Sequence, residues 1–224
     1  MTAIGSLNEK PLHAALKEWY RRAGDFVEVP VEGFVIDLVR GDLLIEIQTR
    51  GFSAMQRKLD RLLDDHPMRL VHPVAAVKWI VKADAETGEV TPRRRSPKRG
   101  IAADVCAELV SFPSLLSHPN FTLEVLLVEE EELWRSDRKG WRRHGFVVEE
   151  RRLVEVVEPV RFGSPDELRS LLPDGLPDPF TTADLAGRLG RSRHLAQEVA
   201  YCLRESEAIE AVGRDRRGYL YRRP

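Results

Sequence analysis

The 224-residue sequence is 42% apolar and carries a formal net charge of −1, which excludes a disordered chain and a polycation that coats nucleic acid wholesale. Its charged residues are abundant (32%) but balanced in sign, so any nucleic-acid surface has to come from local clustering. The length allows one substantial core plus a small appended domain.

Leu12, Ala15, Leu16 and Trp19 recur at helical spacing and predict an amphipathic helix near residues 8–22. Ser6 and Glu9 match a capping box, while Pro11 suits a first helical turn and favours a start near Asn8. Glu9 then lies at the helix mouth. Strands are expected over 26–31, 33–40 and 43–49. The stretch GFSAMQRKLDRLLDDH follows as a helix whose apolar face is Phe52, Met55, Leu59, Leu62 and Leu63, with Ser53 and Gln56 as a capping box. MRLVHPV reads as a strand, so strand–helix–strand implies a right-handed crossover and a parallel pairing. VKWIVKADAETGEVTP reads as a hairpin turning at Thr87-Gly88, and 92–100 as a loop.

Residues 101–117 are expected to be helical, and 121–162 alternates β-rich runs around a turn at SDRKG. LPDGLPDPF (172–180) has the composition of a linker. Helix, tight turn, second helix and hairpin complete the chain. Cys106 and Cys202 lie far apart in apolar helical contexts and read as ordinary buried thiols of a reducing compartment. No signal peptide and no run of membrane-spanning length is present, so a cytoplasmic protein without a membrane partner is expected.

The hairpin VIDLVRGDLLIEIQT poses the sharpest chemical question. With Gly41-Asp42 as a two-residue type II′ loop, Arg40 faces Leu43, Leu38 faces Ile45 and Ile36 faces Ile47. On the other face Asp37 sits opposite Glu46, and Val35 opposite Gln48. Cross-strand Cβ atoms lie about 4.5–5.5 Å apart, so two carboxylates there repel by roughly 3 kcal/mol at an effective dielectric near 20. A hard divalent cation such as Mg²⁺ resolves that conflict.

The order of helix with Glu9, strand with Asp37, strand with Glu46-Ile47-Gln48, helix and strand resembles the PD-(D/E)XK nuclease superfamily over about residues 6–82. The resemblance implies a restriction-endonuclease-like α-β-β-β-α-β core with a mixed sheet. It also implies a Mg²⁺ or Mn²⁺ site held by Asp37, Glu46 and the Ile47 carbonyl, with Glu9 completing it. Gln48 stands where the family usually has Lys, removing a charge that would stabilise the phosphorane and position the attacking water. Lys58, in the next helix, could reach back in its place, against the plainer reading that it solvates the outer face of that helix.

RRRSPKR supplies Arg93, Arg94, Arg95, Lys98 and Arg99 without an acid, enough to neutralise several phosphates without reading sequence. Residues 180–223 resemble a winged helix-turn-helix domain, which implies Arg191, Arg193 and Gln197 facing bases and Arg214, Arg216 and Arg217 at the wing tip. Glu198, Glu205, Glu207 and Glu210 oppose DNA along the same helix, and docking on protein is the competing role. The expected organisation is therefore a nuclease-like core (1–117), a β-rich extension (118–171) and a winged-helix domain (172–224). The expected function is a metal-dependent DNA endonuclease. The alternatives are a catalytically inactive nucleic-acid-binding protein of the same fold and a protein-interaction scaffold, and a homodimer is left open.

Overall fold

The computed structural model describes residues 10–84, 87–136, 145–216 and 218–224. The protein is mixed α/β, with a seven-stranded mixed sheet, a separate two-stranded hairpin and several helices. The strands of the large sheet are β1 (Phe26–Val31), β2 (Phe34–Arg40), β3 (Leu43–Ile47), β4 (Met68–Ala83), β5 (Arg94–Arg95), β6 (Phe121–Ser136) and β7 (Phe146–Phe162). Their order is β1-β2-β3-β4-β6-β7, with β5 also pairing β4. Two compact units divide the chain: residues 1–24, 73–101 and 126–159 form one, and 25–72, 102–125 and 160–224 the other.

In the second unit, the antiparallel β1–β2–β3 meander is set by its two turns. Glu32 and Gly33 both have positive φ (48° and 84°), which matches the right-handed twist of the flanking strands. At the next turn only Gly41 is left-handed (φ 61°), as a type II′ loop requires. Leu38 then faces Ile45, Val39 faces Leu44 and Arg40 faces Leu43, the expected register. Ile36, Leu38, Ile45 and Ile47 are fully buried on one face. β3 pairs parallel with β4 from Leu44–Met68 to Ile47–Val71, as the intervening helix implied.

That helix begins as a 3-10 turn over Phe52–Met55 and continues as α2 (Gln56–Leu62). The expected Ser53–Gln56 capping box is absent. Glu108 replaces it: its Oε2 accepts from the Gly51 and Phe52 N–H groups at 2.8 and 3.1 Å. A carboxylate supplied by tertiary packing thus satisfies donors that the helix start leaves open.

The segment 101–117 is helical only in pieces: a 3-10 turn (Ala102–Val105), α3 (Cys106–Leu109) and a 3-10 turn from Pro113 to Ser117. Phe112, which precedes Pro113, is extended in φ (−157°) and breaks the run. α4 (Pro165–Leu168) leads to the C-terminal elements α5 (Thr182–Leu189), α6 (Arg193–Glu205), β8 (Glu210–Asp215) and β9 (Gly218–Arg222). Thr181 and Asp184 form a reciprocal capping box at α5, and left-handed Gly190 ends it. α6 packs on α3 within the same unit, where the Cys202 Sγ–H donates to the Cys106 carbonyl at 3.7 Å. Both cysteines are free and buried, and far from being separated they adjoin; Cys202 beside it and burial push the Cys106 thiol up.

In the first unit, α1 (Pro11–Tyr20) starts at its proline, later than the position near Asn8. Leu12, Leu16 and Tyr20 are buried, whereas Trp19 is 49% exposed, so the stripe turns by one residue from the expected one. β4 runs unbroken to Ala83, and the expected hairpin is short: Ala83 bridges Val90, the Thr91 N–H donates to the Lys82 carbonyl and the Asp84 N–H to the Glu89 carbonyl. The chain over 94–100, expected as a loop, lies along β4: Arg95 pairs with Trp79, Ser96 N–H donates to the Lys78 carbonyl and Gly100 N–H to the Ala75 carbonyl. A Cβ at Gly100 would come within 2.7 Å of that carbonyl oxygen, so the close approach needs glycine. The SDRKG turn and the Ser6–Glu9 capping box lie outside the described residues.

Candidate functional site

Beyond the last β2–β3 pair, Leu38–Ile45, Asp37 lies close enough to Glu46 for its charge to act on that carboxyl. The Ile47 N–H donates to Asp37 Oδ2 at 2.8 Å, tying the carboxylate of β2 to the backbone of β3. Glu46 is buried at 6% exposure. Burial first, and the neighbouring Asp37 charge second, push its carboxyl up to about 7, against the opposing pull of Lys58. An ordinary surface glutamate would be fully ionised at that pH.

Lys58 reaches back from α2. Its Nζ donates to Glu46 Oε1 at 2.7 Å and to the Val35 carbonyl at 2.8 Å, with its side chain only 15% exposed. The reading of Lys58 as a solvating residue on the outer face is therefore corrected. Gln48 does not meet the carboxylates. Its Nε2 donates to the Arg50 carbonyl at 2.7 Å and so shapes the loop that leads to Gly51. The Gln48 carbonyl is held from the other side by His72 Nδ1 at 2.7 Å. A carbonyl can only accept, so Nδ1 carries the proton. His72 in turn meets Phe52 edge-on, and Phe52 stacks on Phe112. The site thus has a firm base: β2 and β3 carry the carboxylates, α2 the cation, and β4 the histidine that fixes the following loop.

The sequence offered no signal for His72 or Glu108, whose partners lie far along the chain. Among the described residues no group of three or more His, Cys, Asp or Glu side chains is placed to hold a metal ion. The hairpin brings the Asp37 and Glu46 carboxylates near each other and ties Asp37 to the Ile47 backbone N–H. Glu9 lies outside the described residues.

The family model "Domain of unknown function (DUF8091)" matches residues 10–163. The chain belongs to this family. An "Uncharacterized protein" of Treponema pallidum (strain Nichols) is similar at 30% identity over 222 residues, which covers 98% of this chain and 87% of the relative. No solved structure matches. The DUF8091 match includes Asp37, Glu46, Lys58 and His72, and stops before α4.

The basic residues fall into different environments. Arg93 is engaged: it lies 3.3 and 3.2 Å from Glu129 and Glu131 and stacks over the Trp79 ring at 4.2 Å. Arg94, Arg95, Lys98 and Arg99 are exposed on and after β5. In the C-terminal part, Arg191 lies 3.9 Å from Asp104 of the 3-10 turn before α3. Arg193 and Gln197 are exposed on α6, together with Tyr201, which sequence reasoning passed over. On the hairpin, Arg214 lies over the Tyr219 ring at 5.5 Å and Arg216 is exposed, while Arg217 is outside the described residues. No helix among the described residues is long and apolar enough to cross a membrane.

Proposed function

We propose that this chain is a metal-dependent DNA endonuclease of the PD-(D/E)XK type, in which Lys58 takes over the charge that Gln48 lacks. The observation that carries the reading is the Asp37–Glu46 pair with Lys58 Nζ 2.7 Å from Glu46. The element order α1, β1, β2, β3, α2, β4, with β3 and β4 parallel, supports the restriction-endonuclease-like core. Helix, Gly190 turn, helix and hairpin, with Phe180 bridged to Tyr221 of β9, support the winged-helix reading of the C-terminus.

The donor set fits a hard divalent cation: two carboxylates and a carbonyl, with Glu46 under an electrostatic stress that a cation would relieve. Asp37, Glu46 and the Ile47 carbonyl would hold Mg²⁺ or Mn²⁺, which when bound supplies Lewis acidity and a more acidic water. Lys58 brings a fixed positive charge to the same edge, where negative charge develops on a phosphodiester under attack. Gln48 and His72 hold the loop behind the site. Exposed Arg94, Arg95, Lys98, Arg193 and Arg216 supply phosphate contacts that give affinity at any sequence.

One observation favours a second reading, a DNA-binding protein without catalysis: Lys58 Nζ already takes the place beside Glu46, at 2.7 Å, that a cation would fill. Supercoiled, linear and branched DNA incubated with Mn²⁺ or Mg²⁺ separates the two. Cleavage that needs the metal and disappears in Asp37→Ala and Glu46→Ala supports the nuclease. Salt-sensitive binding with no cleavage supports the silent protein, and cleavage surviving both substitutions removes the site.

A further inference from the structure

The large sheet ends at β7, whose one neighbour in the strand order is β6. Its other edge therefore has no strand against it among the described residues. The strand is long and mostly exposed, with Val147 and Val154 each more than two-fifths open to solvent. Free edges of this length invite pairing with another chain unless something blocks it. Pro159 is such a block, and it acts only near the far end of the strand.

Between Phe146 and Val156 the sequence is FVVEERRLVEV. Side chains alternate along a strand, so Phe146, Val148, Glu150, Arg152, Val154 and Val156 share one face. That row runs apolar, apolar, acid, base, apolar, apolar, and is complementary to its own reverse. An antiparallel pairing of two copies about a two-fold axis normal to the sheet keeps each face with itself. With the axis at Arg151, Glu150 of each copy faces Arg152 of the other. Val148 then faces Val154, and Phe146 faces Val156. Moving the axis to Glu150 or to Arg152 sets that residue against its own copy, so the complementary face selects one register.

On the opposite face the same register brings Arg151 to its copy, Glu149 to Leu153 and Val147 to Glu155. Arg151 lies 3.4 Å from Glu132 of its own chain, and Glu149 lies 2.8 Å from Arg135. The like charges at the axis are thus already neutralised from β6. On the complementary face Arg152 binds Glu150 of its own chain through both Nε and an Nη, at 2.8 and 2.9 Å. Two such pairs meeting at the axis form a four-membered network of alternating sign.

We propose that β7 is a homodimerisation edge, at which two copies pair their β7 strands antiparallel about Arg151 and continue the sheet from one protomer to the other. This inference is independent of the nuclease reading.

Sedimentation velocity of the full chain over a range of concentrations tests it. The wild type should dimerise. Glu150→Arg and Arg152→Glu, each alone, create two like-charge pairs by symmetry and should weaken the dimer by about tenfold or more. The double exchange should restore it. An equimolar mixture of the two single variants should give a heterodimer, because both 150–152 cross-strand pairs are then opposite in sign; that recovery also shows that both variants fold. A chain monomeric at all concentrations, single variants that dimerise like wild type, or a mixture that stays monomeric would each overturn the proposal.

Discussion

Lys58 and Glu46 form a 2.7 Å ion pair across the space between α2 and β3, while Gln48, just past the end of β3, turns its amide to the Arg50 carbonyl. The charge and the loop-shaping hydrogen bond are therefore held by different residues. In the proposed nuclease Lys58→Ala should lower the metal-dependent cleavage rate by about a hundredfold, the loss seen when one preorganised donor is removed. Gln48→Ala should instead loosen the loop at 49–51 and change the rate far less. Nicking of supercoiled DNA by both variants, with melting curves to show that they fold, compares the two. A larger loss from Gln48→Ala would return the catalytic role to the strand position.

The same pair makes a stability prediction. Breaking a buried ion pair from one side strands the other charge, at about 3–5 kcal/mol when burial is complete. Lys58 keeps some solvent access, so Lys58→Met should cost about 2 kcal/mol. Glu46→Gln in the same chain should recover most of that loss. Urea unfolding of the two single variants and the double variant gives the coupling directly. Additive costs would mean that the pair is a surface contact without energetic weight.

How much of this was readable in the sequence divides along physical lines. The β2–β3 register as far as Leu38–Ile45 follows from one two-residue turn, because a hairpin loop fixes the pairs behind it. The parallel β3–β4 pairing followed from the crossover rule. The position of Lys58 was open, since a helical pattern says which face is buried and not where the helix lies on the sheet. Glu108 capping Gly51 and Phe52 was beyond reach, because it joins residues far apart in sequence through packing alone. Trp19 and Tyr20 compete for one buried position, and a stripe in a short helix does not choose between neighbours. The VVEERRLV symmetry is visible in the letters, but only the strand order shows that β7 is the last strand of the sheet among the described residues.

Glu46 should make stability depend on pH. Its carboxyl is near 7 in the folded protein, against 4.5 for an unperturbed glutamate side chain. The folded state therefore holds the proton more tightly, and stability falls as pH rises from about 4.5 to about 7. Below that window the residue brings no penalty, and above it the penalty is complete, up to about 3 kcal/mol. Glu46→Gln should lack this slope. Melting temperatures of both proteins between pH 4 and 8 in EDTA measure it, and parallel curves would show that Glu46 ionises normally.

DNA affinity should divide the basic segment. Arg94, Arg95 and Lys98 are exposed, so replacing them with Ser should weaken binding alike for all sequences. The salt slope should flatten by about one for each phosphate that is no longer neutralised. Arg93 is held by Glu129, Glu131 and Trp79, so Arg93→Ser should lower stability and leave the slope nearly unchanged. Titrations at several salt concentrations separate the two groups. A slope that does not change when the exposed three are replaced would make 92–100 a solvated loop.

Asp37→Asn tests the metal site without needing a substrate. Asn keeps an oxygen that can accept the Ile47 N–H, so the main hydrogen bond survives while one charge beside Glu46 disappears. Asp37 is one of the two causes that raise Glu46, so the Glu46 midpoint should fall in the variant. In EDTA above pH 7 the variant should be the more stable, by about 1–2 kcal/mol after solvent screening reduces the Coulomb term. Adding Mg²⁺ or Mn²⁺ should stabilise the wild type by mass action and the variant much less. If the carboxylate is instead a purely structural acceptor, Asn forfeits a charge-assisted bond and melts lower in EDTA. In that case the wild type also ignores added metal. The two readings thus predict opposite signs in one experiment, a set of four melts with and without metal.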